Sequence, residues 1–345
     1  MADFSGPFDR AALLELAARD DVQSRLVVRE RSGYVLLHGP LRRRDFKALP
    51  ATRWTLLVNG INRVSVEADR LLRRFAFVPF ARLDDLMVSY AVEGGGVGAH
   101  VDSYDVFLLQ GFGRRRWRWG RQRDVSMRPR LPLRILHRFT PQHDAVLANG
   151  DMLYLPPGFA HDGVAIDECT TYSIGFRAPS AQELAQAFLD FLQDEAELDG
   201  RYTDAGAAPT REPARIPVAM QRHAARTLEQ LRWSDRTAHR FLGVYLSEPK
   251  PDVVFDPPSR PLVRASFSKR AAARGVALDL RTQMFYDDER LYINGDATAY
   301  AADRDAMRAL ADLRALSARG CSRLSSGTLD LLHDWYKHGF IGIAA

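Results

Sequence analysis

Apolar positions in the first half of the chain come in short runs separated by glycine and proline, with the period of a strand. Strands are predicted at 86–92, 104–110, 114–119, 152–155 and 170–177. Many short strands with turn signals between them predict a barrel or a sandwich up to about residue 178. The period then changes. Ser180 and Glu183 have capping-box spacing, and Leu184, Phe188, Phe191 and Leu192 follow along one helical face. A proline-containing loop over 204–217 leads to two more helix-like stretches, the second carrying Phe241, Leu242, Tyr245 and Leu246. Residues 249–261 are proline-rich and read as a linker. The rest mixes strands (284–286 and 291–293, turning at Asp287-Asp288) with helices around 304–318 and 326–337. The pattern predicts three units in order: β, then α, then α+β.

A length of 345 residues agrees with more than one core, and 46% hydrophobic with 26% charged residues is ordinary globular composition. No run of 18 apolar residues predicts a membrane-spanning helix. Residues 1–7 are acidic and lack a basic-then-apolar export pattern, so secretion is not expected. Cys169 and Cys321 are too few and too distant for a disulfide framework or a zinc set, and a cytoplasmic protein is expected. The formal charge is +5, and all but four of the 48 basic residues are arginine. So lopsided a ratio reads as codon bias. The charge permits an acidic partner without arguing for one.

Candidate chemistry begins at His100-Val101-Asp102. In a strand, residues i and i+2 share a face, so an imidazole and a carboxylate aim at one point. A further histidine would complete the two-histidine, one-carboxylate set that holds Fe(II) and leaves positions open. Upstream, Gly94, Gly95, Gly96 and Gly98 permit a sharp entry or a close approach. Downstream, Pro156-Pro157-Gly158 is a rigid bend shortly before His161. His161 is therefore the preferred third ligand. His38, His137, His143, His333 and His338 read as structural or exposed.

Alternation through 114–119 sets Arg114, Arg116 and Arg118 on one face and Arg115, Trp117 and Trp119 on the other. The aromatic face is expected inside, and it carries one guanidinium. A buried guanidinium needs an anionic partner, either an internal carboxylate or the carboxylate of a bound small acid. Over 169–175 the odd positions are Cys169, Thr171, Ser173 and Gly175, a small-residue face with room for a ligand. Ser89 could supply a hydroxyl in the same way.

Residues 94–118, 150–163 and 172–179 together resemble the JmjC-type bacterial ribosomal oxygenases. The resemblance implies an α+β multidomain chain. A double-stranded β-helix barrel of the cupin/JmjC type would occupy 1–179, a helical dimerisation region 180–248 and a winged-helix-like C-terminal domain 262–345. It implies a dioxygenase using Fe(II), 2-oxoglutarate and O2 to hydroxylate C3 of an arginine in the sixteenth protein of the large ribosomal subunit. On that pattern His100, Asp102 and His161 are the metal ligands. Arg115 holds the 2-oxoglutarate carboxylate, Ser89 touches the same ligand, and no further catalytic residue is required. A cytoplasmic homodimer without membrane contact is implied, with nucleic-acid binding left open. Two alternatives compete: a cupin oxygenase modifying a histidine or lysine, and a ligand-sensing nucleic-acid-binding regulator. Of the acidic residues near the expected mouth (Glu93, Asp105 and Asp162), Glu93 is favoured as the substrate-facing one. Asp105 could cap a turn, and Asp162 could orient the His161 ring.

Overall fold

Antiparallel pairing organises the chain as far as Phe176 in the computed structural model, which describes residues 4, 6–31, 33–196, 198–300 and 302–344. Residues 1–3 and 5 of the acidic N-terminal segment therefore lie outside the described residues. The strands are β1 (Ser24–Arg29), β2 (Tyr34–His38), β3 (Trp54–Val58), β4 (Leu83–Ala91), β5 (His100–Val101), β6 (Val106–Gln110), β7 (Arg115–Arg121), β8 (His143–Leu147), β9 (Met152–Leu155), β10 (Phe159–Ala165) and β11 (Cys169–Phe176). They form a seven-stranded sheet, β2-β1-β3-β4-β11-β6-β9, and a four-stranded sheet, β5-β10-β7-β8. The sequence pattern does not mark β3 as a strand for a physical reason: it is buried at every position, so it shows no period-2 signal.

Alternation decides what each face of the large sheet does. In β4, Leu86, Val88 and Tyr90 point to a core shared with helices α1 (Arg10–Ala17) and α3 (Val66–Arg73), the second following a short α2 (Arg43–Lys47). In β11, Tyr172 and Ile174 do the same. Each large side chain buried there stabilises the barrel by about 1.5–3 kcal/mol. The intervening residues, Asp85, Met87 and Ser89 on β4 and Thr171, Ser173 and Gly175 on β11, line an interior cavity of about 1020 Å³. The core thus sits outside the large sheet and the cavity inside it.

Beyond the barrel, Ser180 caps α4 (Ala181–Glu195). Its hydroxyl accepts from the Glu183 N–H at 3.1 Å, and the Glu183 carboxylate accepts from the Ser180 N–H at 2.6 Å. Helices α5 (Val218–Leu228) and α6 (Asp235–Ser247) follow. Phe188 of α4 meets Phe241 of α6 with ring centres 5.1 Å apart. The C-terminal elements are α7 (Arg264–Arg274), β12 (Val276–Leu278), β13 (Met284–Tyr286), β14 (Arg290–Ile293), β15 (Asp296–Ala299), α8 (Arg304–Leu313), β16 (Ala315–Leu316), α9 (Ala318–Cys321), α10 (Ser326–Lys337) and β17 (Ile341–Ile343). They pack around Phe267, Leu291, Leu310 and Leu332. α6 also lies against β14 and β15, so it joins the helical region to the C-terminal sheet. The helix expected around 304–318 stops at Leu313, because Arg314 turns left-handed (φ 58°) into β16. The proline-rich segment has no regular element, yet it is tied down. Lys250 pairs with Asp84 at 2.9 Å, and Asp252 with Arg63 at 3.1 Å.

Candidate active site

Register brings the first cluster together. β5 and β10 pair so that His100 stands directly opposite His161, with ring centres 4.2 Å apart. Asp102, two residues past His100, lies with its carboxylate oxygens 3.8 Å from His100 Nε2 and 3.6 Å from His161 Nε2. All three ligand atoms fall within 4.8 Å of one another. Two local features hold the entry strand. Gly98 has a left-handed φ of +82°, and a Cβ on Gly96 would lie 2.5 Å from the Gly163 carbonyl oxygen. The Pro-Pro-Gly bend contributes directly: the Gly158 N–H donates to the Asp102 carbonyl at 3.0 Å.

The imidazoles are oriented as ligands require. His100 Nδ1 lies 2.9 Å from the Gly98 carbonyl and His161 Nδ1 lies 3.1 Å from the Phe159 carbonyl. A carbonyl only accepts, so each Nδ1 carries the proton and each Nε2 presents a lone pair toward Asp102. Burial pushes the His161 pKa down to about 4, helped by the neighbouring His100, so its ring is neutral near pH 7. Two imidazoles and one carboxylate, with room beside them, match the donor chemistry of a non-haem Fe(II) site.

On β7 the alternation is as expected from the sequence. Arg115 and Trp117 are buried while Arg114 and Arg116 are exposed and paired with Asp167 and Asp144. Arg115 has no carboxylate partner among the described residues. Its Nη1 donates to Ser89 Oγ at 3.3 Å, and its Nε and Nη2 have no partner at all. An unpaired guanidinium this buried is costly unless an anion completes it. Among the described residues, five of the seven unpartnered buried side-chain polar atoms belong to residues lining this cavity: Thr55 Oγ1, Asn59 Oδ1, Trp117 Nε1 and the two of Arg115. A small carboxylic acid beside the metal position fits the groups present. Thr171, also on the lining, donates its hydroxyl to Gln110 Oε1 at 3.0 Å.

The opposite end of the inward row is acidic. Asp84 and Asp85 both line the cavity, but their surroundings differ. Asp84 is held by Lys250 and by Arg177 Nε at 3.4 Å. Asp85 has no ion pair among the described residues and takes a single backbone hydrogen bond from Gly60. Burial pushes its carboxyl pKa up, opposed by the charges of Lys250 and Arg63. Sequence reasoning missed Asp85; the available signal was its i, i+2, i+4 spacing with Met87 and Ser89.

Glu93 does not reach the cavity. It lies past the far end of β4, exposed, with its carbonyl accepting from the Arg53 N–H at 2.7 Å, so the expectation of a substrate-facing role is corrected. Asp105 pairs with Arg82 at 3.1 Å and accepts from the Tyr154 hydroxyl at 2.6 Å. The Asp162 carboxylate is taken by Arg118 on the outer face, and the carbonyl of Phe159 orients His161 instead. His38 lines the cavity at its rim; His143 stacks on Trp119, and His333 and His338 bond to backbone carbonyls of the C-terminal half.

Comparison with known proteins agrees with this geometry. Residues 70–184 match the family described as the JmjC domain, and residues 230–342 match the ROXA-like winged helix. The ribosomal protein uL16 3-hydroxylase of Escherichia coli (strain K12) is 36% identical over 323 residues, covering 92% of this chain and 84% of that protein. The X-ray structure of E. coli ycfD superposes with a TM-score of 0.86 at 30% identity, covering 99% of this chain and 92% of that one. A structure of YcfD, a ribosomal oxygenase from E. coli, in complex with cobalt and 2-oxoglutarate superposes with a TM-score of 0.82 at 30% identity, with the same coverage.

Proposed function

The chain belongs to the JmjC ribosomal oxygenases, the family of the uL16 3-hydroxylase, and on that premise we propose that it hydroxylates C3 of an arginine in the sixteenth protein of the large ribosomal subunit. It uses Fe(II), 2-oxoglutarate and O2. The observation that carries the reading is one cavity holding both a His-Asp-His cluster and a buried guanidinium without an anionic partner.

His100, Asp102 and His161 would hold the metal, and the metal with 2-oxoglutarate and O2 supplies the oxidising chemistry when bound. The chain's own part is orientation. Arg115 offers Nε and Nη2 to the far carboxylate of 2-oxoglutarate, while Ser89 engages the remaining Nη1. Gly175 and Ser173 keep the β11 face of the cavity low and leave room for a long side chain. Asp85 stands ready for the charge at the end of that side chain, about 13 Å along β4 from Ser89. An anion end and a cation end in one cavity suit 2-oxoglutarate and an arginine together. No general acid or base is assigned.

Several finer assignments follow. The division into a barrel over 1–179, a helical region over 180–248 and a C-terminal winged-helix domain over 262–345 agrees with the order of elements. A homodimer through the helical region is favoured because Leu189, Ile216, Leu228 and Trp233 are each 59–65% exposed there. We place the protein in the cytoplasm with its ribosomal substrate. Its reaction needs no direct contact with nucleic acid. Mass spectrometry of ribosomal proteins from cells with and without this protein tests the reading. One added oxygen on an arginine of that protein is expected; the same oxygen on a lysine or histidine, or on none of them, would overturn it.

A further inference from the structure

The two adjacent carboxylates at the start of β4 are treated differently by a residue far away in the chain. Lys250 Nζ sits 2.9 Å from Asp84 Oδ1 and 3.0 Å from Asp84 Oδ2, across 166 residues of sequence. Lys250 belongs to the segment between α6 and α7, and it lines the same cavity as the His-Asp-His cluster. That segment is pinned a second time by Asp252 on Arg63, another lining residue only 11% exposed. Arg177, just after β11, completes the set: its guanidinium bonds both Asp84 and the Leu246 carbonyl at the end of α6. Three cations therefore converge here, and none of them pairs with Asp85.

We infer that Lys250 is a positioning residue for the substrate end of the cavity. By occupying Asp84, it leaves Asp85 as the unpaired carboxylate that receives a cationic side chain, and it ties that capture to the segment leading into the C-terminal unit. This rests on the function proposed above. Without Lys250, Asp84 would keep only Arg177, and Asp85 would lose a cation that opposes its burial while the charge of Asp84 still acts on it. The groups acting on Asp85 are Asp84 on its own strand, Lys250 from the linker, Arg63 from the segment before α3 and Tyr104 after β5. The two cations hold the Asp85 carboxyl down against its burial, so removing one moves its protonation to higher pH.

The test uses the full-length, iron-loaded enzyme and a peptide carrying the target arginine. Lys250→Met should raise the peptide KM about tenfold and move the acidic limb of kcat/KM up by about one pH unit. The KM for 2-oxoglutarate should stay within about twofold of wild type, because Arg115 lies at the other end. Lys250→Arg, which keeps the charge, should restore most of the loss, and Lys269→Met on α7 serves as a control. A wild-type peptide KM and acidic limb in Lys250→Met would overturn the inference alone. So would an equal loss in Lys250→Arg, or an equal rise in the KM for 2-oxoglutarate, since both mean packing. Failure of the wild-type enzyme to hydroxylate any arginine would overturn the proposed function itself, and this inference with it.

Discussion

Arg115 and Ser89 meet at 3.3 Å across the cavity, on strands of two different sheets. The contact engages one guanidinium nitrogen and leaves two others without partners. A hydroxyl both donates and accepts, so it can hold Arg115 in place without neutralising it. The positive charge is left without an anionic partner among the described residues. Arg115 also lies 5.8 Å from the Trp117 ring, which adds a weaker anchor.

Removing that guanidinium should cost 2-oxoglutarate binding about 2–5 kcal/mol. Titration of the co-substrate into anaerobic, metal-loaded Arg115→Ala would read it. Arg114→Ala and Arg116→Ala break only surface pairs with Asp167 and Asp144 and should bind normally. Equal weakening in all three would contradict the assignment of faces on β7.

His100→Ala and His161→Ala should each lower metal affinity by more than the roughly 10–100-fold that loss of a supporting contact costs. Metal content after dialysis and 2-oxoglutarate turnover are the measurements. Near-normal retention of iron by either variant would exclude the cluster as the metal site.

Asp85→Asn keeps the shape of the substrate end and removes its charge. The peptide kcat/KM should fall by an amount equivalent to about 2–5 kcal/mol. Consumption of 2-oxoglutarate without peptide should persist, since Arg115 and the histidines are untouched. An unchanged peptide kcat/KM would remove Asp85 from substrate recognition. Glu93→Gln should have no effect on either quantity.

Acid should weaken the metal-free protein through His161. Its folded pKa of about 4 lies below the ordinary histidine value of 6.5, so the unfolded chain binds the extra proton first. The histidine's contribution is complete above pH 6.5 and is lost as pH falls toward about 4, by at most about 3 kcal/mol. Denaturant titrations across that range should show a steeper decline for wild type than for His161→Gln. Parallel curves would mean that the buried ring does not resist protonation.

Disrupting the exposed apolar face of the helical region should change assembly. Light scattering should report a dimer for wild type and a monomer for the full chain carrying Leu189→Glu and Leu228→Glu. Both side chains are more than half exposed, so folding of the single chain should survive. A dimer in the double variant would locate the interface elsewhere.

Local periodicity determined the faces. Spacing alone separated Arg115 from Arg114 and Arg116, marked the small-residue side of β11 and placed the Ser180 cap, because each depends only on neighbours in the chain. The glycine run and the Pro-Pro-Gly bend were visible for the same reason. Tertiary structure decided which end of the cavity each residue reaches and which charges are already taken. The β5–β10 register set His100 against His161, and the N–H of Gly158 closed the Asp102 segment onto the second histidine. Glu93 and Asp85 are both acidic residues near one strand. Only the direction of β4 put Asp85 on the inward row and Glu93 beyond its far end. The difference between Asp84 and Asp85 was likewise invisible, since it depends on a lysine 166 residues away. Side-chain direction repeats every two residues, whereas charge pairing is settled by contacts that close only when the chain folds.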